Sequence, residues 1–377
     1  MKILLIGSFS KSLINFRKEL IIHIRNNKHN ILACAGELDK DTKSELALIG
    51  VKYQSYKINR HSLGLISNVI TFYNIFKIIK KFKPDITIPY TIKPVIYVSI
   101  ISKILKFSNY PIITGLGYSF ASNKIFVKFF LRKFIIFLYK LSFKSSKKIF
   151  FQNSDDIKYF IKNKIITKKN YFINTMGSGV NLKHFYYSEI KNNKYTFLMI
   201  SRLLPEKGII EYLKVVKNIK STNSNLHFML LGDYETNHPK NILISDLIKE
   251  SNVEYISYQK DVRPFILKSS AIVLPSYREG MPRTILEGMS MGRAIITTDV
   301  PGCRDTVIDG YNGFLINHRD TKQLEQAILK ICDYNLLKIM GRNSRNIVEK
   351  KFDVNIVNDL IINEIGLKKD YLIFYFL

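Results

Sequence analysis

The sequence predicts two doubly wound α/β domains in tandem, each a parallel sheet flanked by helices. Three observations carry this. A chain of 377 residues is too long for one simple core and suits two domains of about 150–200 residues. Apolar runs of strand length alternate with helix-like stretches along nearly the whole chain, the pattern of a parallel sheet with crossover helices. The alternation then stops at a polar stretch, Phe185–Lys194, and begins afresh.

The first series predicts strands at Lys2–Ile6, Asn30–Ala35, Val51–Ser55, Asp85–Ile88, Pro111–Thr114, Lys148–Phe151 and Tyr171–Ile173. Helical stretches such as Phe16–Asn26, Leu65–Phe82 and Lys124–Lys144 lie between them. The second predicts strands at Tyr195–Ile200, Leu226–Leu231, Val253–Ile256, Ala271–Leu274 and Ala294–Thr297. Its helices are expected at Ile209–Ile219, Asn241–Glu250, Val262–Lys268 and Thr284–Met291. The expected organisation is therefore an N-terminal Rossmann-like domain over 1–185, a second over 186–350, and a tail at 351–377 that is open to crossing back to the first. Two such domains facing each other leave a cleft, the default place for a ligand.

Composition narrows the class. The apolar fraction is 46% and the charged fraction 23%, values of a folded globular chain. The three cysteines (Cys34, Cys303, Cys332) form no C-x-x-C pair, which excludes a disulfide framework or a structural zinc site and suits a reducing compartment. No apolar run approaches the ~20 residues of a membrane span. The first residues already read as a strand, so no cleavable leader is expected. A cytoplasmic protein is the expectation.

The charge is uneven. Residues 1–185 hold 32 Lys+Arg against 8 Asp+Glu, whereas residues 186–377 hold 26 against 22. A uniform compositional bias would charge both halves alike, so the basic first half has its own reason. Nucleic acid, an acidic substrate or an anionic membrane face would each supply one. Lys124–Lys148 carries eight basic residues among Phe, Ile and Leu with no acid, and as a helix suits the headgroup layer of an anionic leaflet. No nucleic-acid-binding module accompanies the charge, so no specific nucleic acid is expected.

Two motifs carry chemistry. Ser276-Tyr-Arg-Glu-Gly-Met-Pro-Arg-Thr-Ile-Leu-Glu-Gly-Met-Ser-Met-Gly292 follows a strand and opens a helix near Pro282. Glu279 falls in the strand-to-helix loop and Glu287 inside the helix. The N–H groups at the helix start suit a phosphate, Glu287 a ribose diol, and Gly280 a close backbone approach. The plain alternative makes Glu279 a helix cap and Glu287 a solvated residue. The second motif, Ser201-Arg-Leu-Leu-Pro-Glu-Lys-Gly208, follows the first strand of the second domain. It sets Arg202 and Lys207 at the strand's C-terminal end, a planar fork and a point charge suited to a diphosphate.

Together these motifs resemble the glycosyltransferase family 4 signature on the GT-B fold. The glycine loop Ile6-Gly-Ser-Phe-Ser10, the Gly179-Val-Asn181…Phe185 segment and Pro301-Gly-Cys-Arg-Asp305…Gly310-Tyr-Asn-Gly313 extend the likeness over essentially the whole chain. Within the family, Asn15-Phe-Arg17, Thr114-Gly-Leu-Gly-Tyr118, Leu138-Tyr-Lys-Leu-Ser-Phe143 and Leu274–Gly280 are similar to bacterial transferases that extend undecaprenyl-diphosphate-linked sugars.

The resemblance implies a retaining transferase that takes a sugar from a UDP-sugar, with no other cofactor and no metal. It implies that Arg202 and Lys207 hold the donor diphosphate, with Glu279 reading the donor sugar beside Gly280 and Met281. Glu287 would bind the ribose and Tyr258 stand where main-chain groups read the base. Gly7, Pro282 and Thr284 complete the implied donor set, and Asn15, Arg17 and Gly117 the acceptor set. The acceptor would be a polyprenyl-diphosphate-linked sugar, met by a protein lying on the cytoplasmic face of the inner membrane. Two departures stand out: the Thr114–Tyr118 loop has no histidine, and Asp305 stands where the family more often has Glu. The weighed alternatives are a nucleotide-sugar 2-epimerase of the same fold and a basic nucleic-acid-binding protein.

Overall fold

A computed structural model describes residues 1–59, 64–116, 126–167, 169–190, 195–222, 225–236 and 238–368, with the side chains of Leu65 and residues 126–131 left aside. The chain divides into two units, Met1–Ser178 together with the stretch from Val357 onward, and Gly179–Ile356.

In the first unit, β1 (Lys2–Ile6), β2 (Asn30–Ala35), β3 (Lys52–Ser55), β4 (Ile86–Pro89) and β5 (Ser108–Asn109) form a parallel sheet in the order β3-β2-β1-β4-β5. A parallel bridge between Tyr90 and Ile112 leads on to β6 (Ile112–Ile113), β7 (Ile149–Phe151) and β8 (Phe172–Asn174), ordered β6-β7-β8. The central strands are apolar throughout because both faces are covered. Ile3, Leu5, Ile31 and Ala33 point into one core with Leu20, Ile21 and Ile24 of the helix Lys18–Asn26. Leu4, Ile6, Leu32 and Cys34 point into the other, with Ile75, Ile78 and Ile79 of the helix Leu65–Phe82 and Val98 and Ile101 of the helix Ile92–Leu105. The period of two along the strand decides which layer each residue joins.

The second unit is one six-stranded parallel sheet. It comprises β9 (Thr196–Ile200), β10 (His227–Leu231), β11 (Glu254–Ile256), β12 (Ala271–Leu274), β13 (Ala294–Thr298) and β14 (Gly313–Ile316), ordered β11-β10-β9-β12-β13-β14. Every pairing is parallel. Numbered within the unit, the order is 3-2-1-4-5-6, the doubly wound arrangement. Strand β14 was not foreseen, since its opening glycine closes a Gly-Tyr-Asn-Gly turn. That glycine is needed, because a Cβ on Gly313 would lie 1.8 Å from the Ile295 carbonyl oxygen.

The boundaries differ from those expected. Residues 179–190 belong to the second unit rather than to the end of the first and a linker. Phe185 and Ile190 are buried there, and the fully buried Arg293 donates to both the carbonyl and the hydroxyl of Ser188, each at 2.8 Å. A stretch that looked polar is thus pinned by its few apolar side chains and one buried cation. At the other end, the helix Val354–Ile365 carries Val357, Ile361, Ile362 and Ile365 into the core of the first unit. Lys148 donates to Glu364 at 2.7 Å and ties that helix down. Among the described residues no helix is long and apolar enough to cross a membrane.

Candidate functional site

Strand order reverses between β9 and β12, so the loops leaving their C-terminal ends flank the crevice where open α/β sheets take ligands. These loops, residues 201–208 and 275–282, are the two motifs singled out in the sequence. They are fastened together. The Tyr277 N–H donates to the Glu206 carbonyl at 2.9 Å, and Gly208 lies so close to the second loop that a Cβ would sit 2.1 Å from the Pro275 carbonyl oxygen. Gly208 also has φ +74°, which a side chain resists.

That contact brings two of the expected residues together. The Lys207 ammonium donates to Glu279 Oε1 at 2.5 Å, and the Ser276 hydroxyl donates to the same oxygen at 2.8 Å. Both side chains are largely sheltered, 20% and 14% exposed, so the attraction is stronger than for a surface pair. Glu279 is therefore not a helix cap. The N-cap is Pro282, whose side chain makes no capping bond, and the helix proper is Arg283–Ser290. The Glu279 N–H is held by the Pro301 carbonyl at 3.0 Å. Next to it Gly302, at φ +81°, leaves no room for a Cβ, which would fall 2.6 Å from the Glu279 carbonyl oxygen.

Glu287 is buried, not solvated, and accepts from Arg283 Nε at 2.9 Å one turn earlier. Burial raises its pKa above the ordinary carboxyl value, with Arg283 pulling it back. Thr284, Gly280 and Met281 are partly exposed around the same helix start, and Pro282 is buried. Arg202 is more than half exposed and pairs with Glu235 at 2.6 Å rather than with the Lys207 cluster. Tyr258 is also exposed, and its N–H already donates to Asp233 Oδ1 at 2.9 Å. Behind the crevice Cys303 is fully buried, which pushes its thiol up to about 12.

Ser276, Tyr277, Gly208 and Gly302 were not assigned roles from the sequence. All four stand inside quoted motifs, so the signal was present, but only the fold shows that they align the two loops.

The first unit holds the remaining expected residues. Gly7 follows β1, and its missing Cβ is filled by the Tyr90 ring, 2.2 Å from where that atom would be. Tyr90 in turn shares a 3.0 Å hydrogen bond with Ser12. Arg17 is buried with its guanidinium 5.1 Å from the Tyr90 ring centre, and Asn15 is exposed. Gly117 lies outside the described residues, as do Tyr118 and Lys124, and the Lys128 side chain likewise. At Thr91, just after β4, a β-branched residue adopts φ +67°, ψ 152° while its hydroxyl bonds to that of Ser8 at 2.8 Å.

Comparison with known proteins agrees in both halves. The family described as glycosyl transferases group 1 matches residues 183–347, and that described as glycosyl transferase 4-like matches residues 2–153. A similar protein is the N,N'-diacetylbacillosaminyl-diphospho-undecaprenol alpha-1,3-N-acetylgalactosaminyltransferase of Campylobacter jejuni, 25% identical over 95% of this chain and 96% of its own. The UDP-Gal:alpha-D-GlcNAc-diphosphoundecaprenol alpha-1,3-galactosyltransferase of Escherichia coli is 27% identical over 78% of each. Among solved structures, Anabaena HepE in complex with UDP-glucose superimposes with a TM-score of 0.79 at 16% identity, over 97% of this chain and 99% of its own.

Proposed function

We infer the reaction from membership: this chain belongs to the group 1 and 4-like glycosyltransferases, and its two parallel-sheet units are those of the GT-B fold. It is a glycosyltransferase that moves a sugar, an N-acetylhexosamine foremost, from a UDP-sugar to a polyprenyl-diphosphate-linked sugar with retention at the anomeric carbon. The acceptor class follows the two relatives, both named for undecaprenyl-diphosphate-linked sugars and both matched over most of their length. Such acceptors belong to the assembly of surface polysaccharides and glycans.

The observation that carries the site is the Lys207–Glu279 contact at the strand-order reversal of the second unit. Lys207 is placed to neutralise the donor diphosphate as charge builds on it when the glycosidic bond breaks. Arg202, on a longer and more exposed arm, exchanges Glu235 for the same diphosphate. Glu279, steadied by Ser276, orients the donor sugar through its hydroxyls, and Glu287 accepts from the ribose diol. With no carboxylate assigned as nucleophile, the incoming hydroxyl attacks from the face the leaving group departs, and the released diphosphate takes its proton. The side chains then contribute positioning and electrostatic stabilisation. Fixed cations do this without a divalent ion.

Donor screening tests this directly. UDP-sugars are expected to raise the melting temperature and to be consumed only when a lipid-diphosphate sugar is present. Epimerised UDP-N-acetylglucosamine without acceptor would overturn it in favour of a 2-epimerase.

A further inference from the structure

We propose that Glu211, which lies outside both motifs, is a positioning residue for the transfer: through the Tyr277 hydroxyl it fixes Lys207 against Glu279. This deepens the donor site proposed above and rests on that reading for its purpose.

Glu211 stands in the first turn of the helix Ile209–Thr222, which follows directly on Gly208. Its Oε1 accepts from the Tyr277 hydroxyl at 2.6 Å, across the gap between the two loops. Tyr277 thereby grips the first loop twice. Its N–H donates to the Glu206 carbonyl at 2.9 Å and its hydroxyl to Glu211, so Lys207 lies between two points fastened to one residue of the opposite loop. The neighbour of Tyr277, Ser276, holds Glu279, the partner of Lys207. The ring itself is held still. Arg319, in a left-handed conformation at φ +66°, lays its guanidinium 4.7 Å from the ring centre, and the His318 ring stands edge-on at 6.0 Å. Burial, and then the Glu211 carboxylate, push the Tyr277 pKa above the ordinary phenol value, so the hydroxyl keeps its proton and donates.

Two observations separate positioning from plain support of the helix. An acid in a first turn favours the helix dipole from an exposed position. Glu211 is instead drawn in: its Oε2 is sheltered from water and meets no hydrogen-bond partner among the described residues. A sheltered carboxylate oxygen without a partner costs stability, so the fold alone does not explain it. The helix also has a firmer anchor in the next residue. Tyr212 is fully buried, and its hydroxyl lies 3.1 Å from both the Phe197 and the Met229 carbonyl oxygens, which ties the helix to β9 and β10. What Glu211 adds is the relation between the two loops. Local costs of this kind gather at functional sites, where a geometry matters more than the stability lost.

The test compares Glu211→Ala, Glu211→Gln and Tyr277→Phe in the full chain by transfer kinetics, thermal melts and amide hydrogen exchange. Lys207 acts as charge builds on the leaving diphosphate, so its displacement should lower kcat and leave donor KM nearly alone. Glu211→Ala and Tyr277→Phe should each lower kcat about tenfold, with KM within about twofold of wild type. Glu211→Gln keeps an acceptor for the Tyr277 hydroxyl and should restore most of the rate. In a Lys207→Ala background Glu211→Ala should add less than about twofold, because it acts through Lys207. Amide exchange at Lys207 and Tyr277 should quicken in Glu211→Ala, a readout that needs no reaction. Wild-type kcat with a lowered melting temperature would make Glu211 a merely structural residue and overturn the proposal. So would an undiminished loss in the Lys207→Ala background, or exchange unchanged from wild type. A wild-type chain that transfers no sugar from any UDP-sugar would overturn the proposed reaction instead, and the exchange result would still decide whether Glu211 holds the loops.

Discussion

Replacing Lys207 by alanine removes the ammonium 2.5 Å from Glu279 Oε1 and tests the donor site at its centre. A charge-assisted hydrogen bond contributes about 1.5–3 kcal/mol, which at about 1.4 kcal/mol per decade is a loss of roughly 10- to 150-fold in kcat/KM for the donor. Two effects combine in that loss. The diphosphate loses its fixed cation, and Glu279, only 14% exposed, loses its partner and keeps the Ser276 hydroxyl. Leaving such a carboxylate without its cation also lowers stability, by about 1–3 kcal/mol, so rates are compared well below the melting transition. Glu279→Gln and the double variant separate the two. If the pair acts as a unit, the double variant loses less than the product of the single losses. The assay is UDP release at donor concentrations below KM, with thermal melts on each variant. A Lys207→Ala enzyme within about twofold of wild-type kcat/KM would refute the assignment.

The other predictions concern neighbouring residues. Glu287 has its pKa raised by burial, so the stability it contributes is complete below the unfolded carboxyl value and is lost as pH rises through the folded one. Glu287→Gln should therefore melt above wild type at pH 7 by about 2–4 °C, with the margin vanishing towards about pH 4, while donor KM rises by about tenfold. A variant that melts below wild type at neutral pH contradicts this. Gly208→Ala should lower stability by about 1–3 kcal/mol in denaturant unfolding and impair donor use, since φ +74° and the Pro275 carbonyl both oppose a Cβ; unchanged stability would show that the two loops are not held at that contact. Turnover should persist in excess EDTA, and activity that is lost with chelator and restored by magnesium at the chemical step would replace the fixed-cation mechanism.

Much of the fold was legible because parallel strands buried on both faces read as plain apolar runs, as in Lys2–Ile6 and Ala271–Leu274. Leu65–Phe82 was legible to the residue as a helix, but its exposed face was not. The buried and exposed apolar residues of that helix look alike in sequence, and only the position of the sheet tells Ile75 from Ile66. The end of the first unit was misplaced because the segment is held by residues far along the chain, Ser290 donating to the Phe185 carbonyl and Arg293 to the Ser188 carbonyl. In the candidate site, Lys207 and Glu279 were legible from motif and strand end. Their direct contact was not, since it depends on β9 and β12 lying side by side across the strand-order reversal. Arg202 was placed by motif and strand end and Tyr258 by the resemblance, and the structure gives each a carboxylate partner, Glu235 and Asp233, that neither reading contains.

The most direct test of the central claim is a transfer assay on the full chain. It combines a panel of UDP-, GDP- and ADP-sugars with a polyprenyl-diphosphate-linked sugar in phosphatidylglycerol vesicles, and the product is read by mass spectrometry and the anomeric proton by NMR. The expected product carries one added hexose or N-acetylhexosamine from a UDP-sugar, in the anomeric configuration of the donor. Transfer with inverted configuration, or no transfer from any donor to the lipid-linked sugar, would contradict it.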